Sequence, residues 1–524
     1  MRNIFSLLII ASLLTWFATY YTFAQKVPNT HNTGYIYEVD LKNLVNDKIK
    51  VTLTYKSNKT LKDTTTFCLP KIIPGIYNAT NFGKYVTTIK AFSTLNKELK
   101  VVQEGLNCWK IIKASTLKKI TYQVSDGWEE FDFTDLRPYR SAESSFSKDR
   151  FILSPPSIFG YFKTLKNLPF TITIKKPKKL FGATALPKKI TNQFLDTYKA
   201  NNYLELLDSP LMYTVPDTTS LKINNTTINI ASFNNSKKNI SKKIATYIKP
   251  LIQAQIRYLG GKLPTNNYTF LLYKNNNPNK NSYFSEGLEH RNSTLVLMYI
   301  PEDINSIKET IYHTASHEFF HTIMPIGLHS YEIANFNFNS PKFSKHLWLY
   351  EGMTEYFTIH AAIKYNLVSL PDFLNTIENK IVKTKNYNAN LSLVDLSINP
   401  IQHQSQYQNI YYKGALLNLC LDIMLRELSN GKYGVQNMVL DLVQEFGSKR
   451  PFEDDKLFDE ITSVTGYPEI KTFLTQYVIQ NKPLPLKKYL NKVGFNLNTT
   501  TYKITPVQKP SLQQKKTRKY WINQ

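Results

Sequence analysis

The chain has 524 residues, of which 42% are hydrophobic and 13% aromatic. This composition excludes an intrinsically disordered protein, and the length indicates more than one domain. The formal net charge of +26 is compatible with nucleic-acid binding, but the lysines are spread along the whole chain without a recognisable binding motif, so we expect no nucleic-acid partner.

The N-terminus has the pattern of a secretory signal peptide. Arg2 precedes the apolar run "IFSLLIIASLLTWFA", and Ala24 supplies a small residue for cleavage before Gln25. An uncleaved membrane anchor is the alternative, because weak apolar character continues through "TYYTF". We predict a cleaved signal over residues 1–24 and an exported protein, periplasmic or extracellular. No stable membrane insertion is expected after cleavage, because no other segment approaches the roughly 18 apolar residues that a spanning helix needs.

From about residue 35 to residue 213 the sequence favours strands. The segments "GYIYEVDL", "IKVTLTY", "KKITYQV" and "FTITIKK" alternate apolar and polar residues. Between them, "LPKIIPGIY" carries Pro70, Pro74 and Gly75, which predict a sharp excursion of the chain. We predict an antiparallel β-sandwich-like domain over residues 25–217.

The three cysteines are too few for a disulfide scaffold. Cys68 and Cys108 both lie in the strand-rich part. They either pair in an oxidising compartment or are two small buried residues. Cys420 lies on an apolar helix face and is predicted to be core.

After residue 240 the apolar residues repeat every three or four positions. "ISKKIATYIKPLIQAQIRYLG", "INSIKETIYHTASHEFFHTIM", "KHLWLYEGMTEYFTIHAAIKYN" and "YYKGALLNLCLDIMLREL" predict helices, the second of them ending at Pro325. "YTFLLY" and "STLVLMYI" predict buried strands. The fold class is therefore α+β and multidomain, with a mostly helical domain over residues 218–481. The remainder, 482–524, has ten Lys or Arg and no acidic residue. It is expected to be partly disordered or docked on an acidic surface.

The stretch "SHEFFH" contains the pattern H-E-x-x-H. It places His317 and His321 on one helix face with Glu318 beside them, the arrangement of a zinc peptidase helix. A third ligand is offered by Glu351 in "HLWLYEGMTEYF", where a carboxylate among aromatic residues is costly unless a cation compensates it. The alternative is a glutamate stabilised by a helix dipole. We predict one Zn²⁺ per chain.

"SHEFFH", "LWLYEGMTEYF" and "YYKGAL", in this order, resemble the glycyl aminopeptidase family of gluzincin zinc metallopeptidases. These are distant relatives of aminopeptidase N with a thermolysin-like catalytic domain. "LPKIIPGIY" resembles the family's Pro-Gly loop, and "EGLEHRNST" resembles its Gly-Leu-Glu-His motif. The resemblance runs from about residue 45 to residue 495. The sequence departs from the family in two ways. It leaves no room for the usual C-terminal PDZ domain, and it lacks a basic stretch between His321 and Glu351. The second departure leaves the substrate preference open.

The resemblance implies a role for each matching residue. His317, His321 and Glu351 would bind zinc, and Glu318 would be the general base. Tyr411 would donate a hydrogen bond to the oxyanion. Its neighbour Tyr412 is the alternative, and Tyr411 is preferred because the family places this tyrosine three residues before the glycine that is Gly414 here.

The Gly-Leu-Glu-His motif implies an aminopeptidase. Its glutamate, Glu289, would bind the free α-ammonium of a peptide, and Gly287 would line the same substrate site. A solvated loop carboxylate is the alternative for Glu289, and His290 would line the pocket or cap the strand. Glu355, one helical turn after Glu351, either orients a histidine ligand from behind or is an exposed carboxylate.

Together these residues predict a secreted zinc aminopeptidase that removes N-terminal residues, Gly or Ala by resemblance, through attack of metal-activated water. The expected partners are peptides with a free N-terminus, and the oligomeric state is left open. The alternatives are a non-catalytic peptide-binding protein on the same fold and a zinc endopeptidase.

Overall fold

The computed structural model describes residues 34–57, 60–128, 140–276, 284–301 and 303–523. The predicted signal peptide lies outside these ranges, and export remains a prediction. Among the described residues, no helix combines the length and apolar character needed to cross a membrane.

The first half of the chain consists mainly of strands. Its sixteen strands are β1 Gly34–Val45, β2 Lys48–Lys56, β3 Thr64–Cys68, β4 Val86–Ser93, β5 Glu98–Leu99, β6 Val101–Glu104, β7 Cys108–Ile112, β8 Leu117–Ser125, β9 Ser145–Ser147, β10 Arg150–Leu153, β11 Tyr161–Phe162, β12 Phe170–Lys175, β13 Phe181–Ala183, β14 Lys188–Thr191, β15 Leu195–Ala200 and β16 Leu211–Thr214. Two short helices accompany them, α1 Pro155–Ile158 and α2 Tyr203–Leu207, with 3-10 turns at Phe82–Tyr85, Ala114–Thr116 and Arg140–Ala142.

These strands form one large sheet and two small ones. The eight-stranded sheet has the order β14-β15-β12-β1-β2-β8-β4-β5, and the four-stranded sheets have the orders β13-β16-β10-β9 and β11-β3-β7-β6. In β1, Tyr35, Tyr37 and Val39 are buried whereas Glu38 is exposed, which is the alternation that predicted the strand. One pair, β1 with β12, is parallel, because the long connection between these two strands permits a crossover.

A disulfide joins Cys68 of β3 to Cys108 of β7, opposite each other in the strand register. Of the two alternatives for these cysteines, the structure therefore shows the pair. Cys420 is free and buried, as predicted.

A five-stranded sheet opens the second half, with β17 Thr218–Ile223, β18 Thr226–Asn234, β19 Asn267–Asn275, β20 Phe284–His290 and β21 Ser293–Tyr299 in the order β17-β18-β19-β21-β20. β18, β19 and β21 are parallel, and β20 pairs antiparallel with β21 at the edge. The sheet begins at residue 218, which is the first residue of the second domain as predicted from the sequence. The division into domains itself stays a prediction.

Helices build the rest of this half. They are α3 Ser241–Tyr258, α4 Ile304–Thr310, α5 Ser316–Phe320, α6 Tyr331–Ala334, α7 Thr354–Lys364, α8 Leu370–Thr384, α9 Leu393–Ile398, α10 Asn409–Leu428, α11 Val435–Glu445, α12 Leu457–Thr465, α13 Glu469–Leu474, α14 Leu486–Lys492 and α15 Leu512–Ile522. π turns lie at Ile311–Ala315, Trp348–Met353 and Thr475–Ile479, 3-10 turns at Gln404–Gln406 and Asp454–Lys456, and a hairpin at β22 Phe495–Leu497 and β23 Ile504–Pro506. A β-rich part followed by a mostly helical part confirms the predicted fold class.

The motif helix ends earlier than predicted. α4, the π turn at 311–315 and α5 form one continuous helix that stops at Phe320, four residues before Met324. The residue before a proline is disfavoured in helical conformation, and Met324 precedes Pro325. The chain folds back there, and the carbonyl oxygen of Met324 accepts a hydrogen bond from Nδ1 of His321 at 2.7 Å.

The basic segment 482–524 is folded through residue 523, so the expected partial disorder is wrong for these residues. Trp521 and Ile522 of α15 are fully buried in the main helical core. The indole of Trp521 donates to the Tyr356 hydroxyl at 2.8 Å, and Arg426 donates to the carbonyl of Tyr520. Apolar contacts and backbone acceptors, rather than an acidic surface, hold this helix.

The two halves meet at the loop 69–77, which the sequence predicted as an excursion. The amides of Lys71 and Ile72 donate to the carbonyl of Phe338 in the helical half, at 2.9 and 3.1 Å. Phe336 and Phe338 are buried in the core of the β-rich half. This junction holds the tip of the loop against the site described next.

Candidate active site

His317, His321 and Glu351 meet in one buried cluster. Nε2 of His317 and Nε2 of His321 each lie 3.4 Å from the same oxygen of Glu351. The potential ligand atoms of the three residues all lie within 4.8 Å of one another. Two imidazoles and one carboxylate, with a fourth position left to water or substrate, form the ligand set of catalytic zinc sites. These side chains could therefore hold one metal ion.

A π turn accompanies each of the two elements that carry the cluster. The turn at 311–315 directly precedes the helical turn of His317, and the turn at 348–353 contains Glu351. A π turn inserts one extra residue into a helix and is often found at functional sites. Here it re-aims the side chains that follow, so that both elements point ligands at one position.

Groups behind the histidines fix their tautomers. Nδ1 of His317 donates to Glu355 at 2.9 Å, as Nδ1 of His321 does to Met324. Both Nε2 atoms are thereby left for a metal, which is how histidine ligands are usually oriented. Glu355 is buried and also pairs with Lys380, so of its two predicted alternatives the orienting one holds.

The charged groups of the cluster shift one another's pKa values. Burial lowers the pKa of His317, but Glu351 and Glu355 outweigh this effect and raise it to about 10. For His321, burial is likewise outweighed by Glu289 and Glu351, which raise its pKa to about 9. Burial raises the pKa of Glu351, yet the two imidazolium groups hold it at about 2. The carboxylates therefore favour the protonated histidines, and a metal ion that binds has to displace those protons.

We predict that Zn²⁺ binding releases about two protons at pH 7. Since both histidine pKa values are raised, the competing protons are present below about pH 9 and are lost above it. Affinity should therefore rise by up to about 100-fold per pH unit below that point, because two protons are displaced. Calorimetry in buffers of different ionisation enthalpy measures the number released. A pH-independent affinity between pH 6 and pH 8 would contradict the prediction, and Glu351→Ala should abolish tight binding.

Glu318 lies beside the ligands but is not among the three. Burial raises its pKa to about 7 against the opposing effect of the two imidazoles, which is the range that suits a base at neutral pH. A side chain at position 287 would collide with Glu318, so Gly287 in β20 gives the carboxylate its space. Gly287 thus lines the cleft, and its role towards a substrate stays a prediction.

Glu289, two residues along β20, lies next to the cluster. Oxygens of Glu289 and Glu318 and a nitrogen of His321 fall within 4.8 Å of one another. Burial raises the pKa of Glu289, opposed by His321. The tip of the 69–77 loop covers this carboxylate: Gly75 has φ of +82°, and a Cβ there would stand 2.6 Å from Oε1 of Glu289. Glu289 is therefore part of the site and not a solvated loop carboxylate.

Tyr411 reaches the site, and its neighbour does not. The Tyr411 ring centroid is 5.6 Å from that of His317. Tyr411 also lines the cleft around the three potential ligands, which we call the metal cleft. Tyr412 packs instead under Lys383, at 5.1 Å. The backbones of the two helical elements touch at Gly352 and Gly414, where a Cβ on Gly352 would be 2.6 Å from the other Cα. This close approach brings Glu351 and Tyr411 to one site.

A partly open cavity of about 90 Å³ adjoins Glu289. The β-rich half contributes Ile73, Pro74 and Leu207 to its wall, and the helical half contributes His290 and His329. Nδ1 of His290 lies 3.6 Å from Asp208, so His290 lines this cavity rather than only capping the strand.

The sequence missed two groups that act from behind the ligands, Lys380 and the carbonyl of Met324. Lys380 is one lysine among many on an amphipathic helix, and no local pattern marks it. The proline after Met324 was the available signal for the turn. The side chain of His313 is 60% exposed, and its Nε2 lies 3.3 Å from Glu355.

Two family models match this chain, the peptidase M61 N-terminal domain over residues 36–215 and the M61 glycyl aminopeptidase over residues 310–417. Together they cover more than half of it. No curated protein sequence gives a significant match.

Solved structures share the fold. An aminopeptidase N family protein from Idiomarina loihiensis superposes with a TM-score of 0.76 at 21% identity, over 89% of this chain and 79% of that one. A mutant M1 zinc metallopeptidase from Deinococcus radiodurans, bound to a Tyr-Ser-Ala substrate, superposes with a TM-score of 0.53 at 12% identity, over 87% and 95%. With both family models matched in order along one fold, the chain belongs to the M61 glycyl aminopeptidase family and is a peptidase.

Proposed function

We propose that this protein is a zinc aminopeptidase acting on peptides with a small N-terminal residue. The observation that carries the proposal is the position of Glu289. Its carboxylate lies beside Glu318 and beside His321, one of the three potential ligands, under the loop that carries Gly75. A carboxylate in a partly buried place favours a cation beside it, and a peptide's α-ammonium is such a cation.

The group of Glu289, Glu318 and His321 does not make a second metal site. Nδ1 of His321 is taken by the Met324 carbonyl, so the same Nε2 would have to serve both groups. The group with two imidazoles is the better zinc site. The Glu289 carboxylate is then left for the ammonium of the substrate.

Each residue has one task in hydrolysis. A bound zinc ion supplies Lewis acidity that activates water and polarises the scissile carbonyl. Glu318 accepts the proton of the attacking water and passes it to the leaving amine. The Tyr411 hydroxyl donates to the oxygen that gains negative charge. Glu289 binds the ammonium of the substrate, which places the first peptide bond at the zinc site.

The cavity next to Glu289 supports a small first residue. Its volume of about 90 Å³ is well below the roughly 150 Å³ cavity that accepts benzene in another protein. We therefore expect a small first side chain, such as that of Gly or Ala, to be preferred over an aromatic one. β20 adds an open edge at Gly287, where a peptide backbone can pair as an added strand.

The proposal extends to export, with residues 1–24 as a cleaved signal. The disulfide between Cys68 and Cys108 supports it, because such bonds persist in oxidising compartments.

Glu289→Ala tests the aminopeptidase assignment. We expect kcat/KM on Ala-anilide to fall by roughly 30-fold or more, because losing a desolvated charge partner costs about 2–5 kcal/mol. N-acetylated substrates should be poor for the wild type and gain nothing comparable in the variant.

The matched control is Glu453→Ala, which removes a carboxylate whose side chain is 66% exposed. It should behave as the wild type. If the wild type cleaves an acetylated peptide as well as the free one, Glu289 is no amine anchor, and the protein is an endopeptidase.

A further inference from the structure

The substrate cleft has three compartments in a row. The cavity beside Glu289 shares only that residue with the metal cleft. On the other side, a third compartment of about 260 Å³ shares His313, Glu355, Gln408 and Tyr411 with the metal cleft and no residue with the first cavity. The ligand cluster therefore lies between the Glu289 end and this third compartment.

The two ends carry opposite charge. The first cavity is lined by the carboxylates of Glu289 and Asp208. The one guanidinium that the structure describes in its wall, that of Arg291, lies 4.0 Å from Asp208, so the Glu289 carboxylate is the charge left for a ligand. The third compartment contains Lys380, Lys383, the amides of Asn379 and Gln408, and one carboxylate among its described lining residues, Glu355. Glu355 is already engaged by His317 and Lys380, so it offers little to a ligand.

Lys383 is the cation available to a ligand. It is exposed and forms no ion pair with another described residue, and its Nζ is 5.1 Å from the centroid of the Tyr412 ring. That ring holds the ammonium at the wall of the compartment. A lysine beside neutral amide donors is a set that binds an anion.

We propose that this compartment binds a carboxylate on the leaving-group side of the scissile bond, which makes short zwitterionic peptides, di- or tripeptides, the preferred substrates. The inference rests on the proposed aminopeptidase function. The ammonium of the peptide lies at Glu289 and its first carbonyl at the ligand cluster. The rest of the peptide then extends past Tyr411 towards Lys383. One or two further residues bring their terminal carboxylate into the compartment, since extended residues span about 3.3–3.6 Å each.

The test compares free acids with amides. kcat/KM is measured for Ala-Ala and Ala-Ala-Ala and for their C-terminal amides, with zinc-loaded wild type, Lys383→Gln and Lys385→Gln. For peptides of at least one of the two lengths, we expect kcat/KM of the wild type to be about fivefold or more higher for the free acid than for the amide. A factor of about five corresponds to the upper range for a partly exposed ion pair. Lys383→Gln should bring the ratio close to one. Lys385 is an exposed lysine two residues further along the chain, and its Nζ lies against the Tyr502 ring. Lys385→Gln should therefore keep the preference for the free acid.

A second series identifies the source of the carboxylate. A preference for Ala-Glu-amide over Ala-Gln-amide that depends on Lys383 supports recognition of an acidic side chain by the same compartment. Equal values in both series, or a preference that Lys383→Gln retains, would overturn the inference.

Two further measurements separate this inference from the proposed function. Ala-anilide has no carboxylate, so failure of the wild type to hydrolyse it counts against the aminopeptidase and not against the compartment. Calorimetry with Glu318→Gln measures binding of Ala-Ala and its amide without turnover. Equal dissociation constants there would also overturn the carboxylate site.

Discussion

Glu318→Gln is expected to lower kcat on Ala-anilide by about 100- to 10,000-fold while the metal stays bound. Glu318 is buried next to the ligands without belonging to the cluster of His317, His321 and Glu351. The amide of glutamine has nearly the same shape, so the space above Gly287 stays filled, but it cannot accept the proton of water. The loss should therefore appear in kcat rather than in KM.

Metal analysis and kinetics on the same preparation decide the matter. Glu309→Gln is the control, because it makes the same chemical change at an exposed position of the same continuous helix. Turnover near the wild-type rate in Glu318→Gln would end the proposed mechanism. A wild type that binds peptides and releases no product would instead be a peptide-binding protein.

Tyr411→Phe is expected to lower kcat by roughly 100- to 1,000-fold, the usual loss for one oxyanion donor. The Tyr411 ring packs near His317 and lines the metal cleft, so its hydroxyl can reach the oxygen that becomes charged in the transition state. KM should change little, because the ground-state carbonyl needs this donor less.

Tyr412→Phe is the matched comparison, since it removes the same hydroxyl from the adjacent residue. Its ring lies by Lys380 and Lys383, outside the metal cleft, and its loss should be far smaller. A larger loss in Tyr412→Phe than in Tyr411→Phe would show that the oxyanion donor is the other tyrosine.

The sequence by itself determined the parts of the site that one element supplies. His317 and His321 share a face because four residues complete about one helical turn, and this holds wherever the helix lies. The strands around Tyr37 could be predicted because buried and exposed residues alternate along a half-buried strand. Glu351 stood out as a carboxylate in an apolar segment, which few environments tolerate.

Only the tertiary structure decided the parts that depend on contacts between distant segments. Gly75 covers Glu289 because the loop reaches β20, and Lys380 reaches Glu355 because α8 packs beside α7. The same packing places Lys383 at the cleft. None of these residues lies in a periodic pattern that involves its partner, so chain order carries no trace of the contact. The basic last segment shows the same limit. Its charge pattern indicated a tail, but burial of Trp521 among helices from elsewhere in the chain made it part of the core.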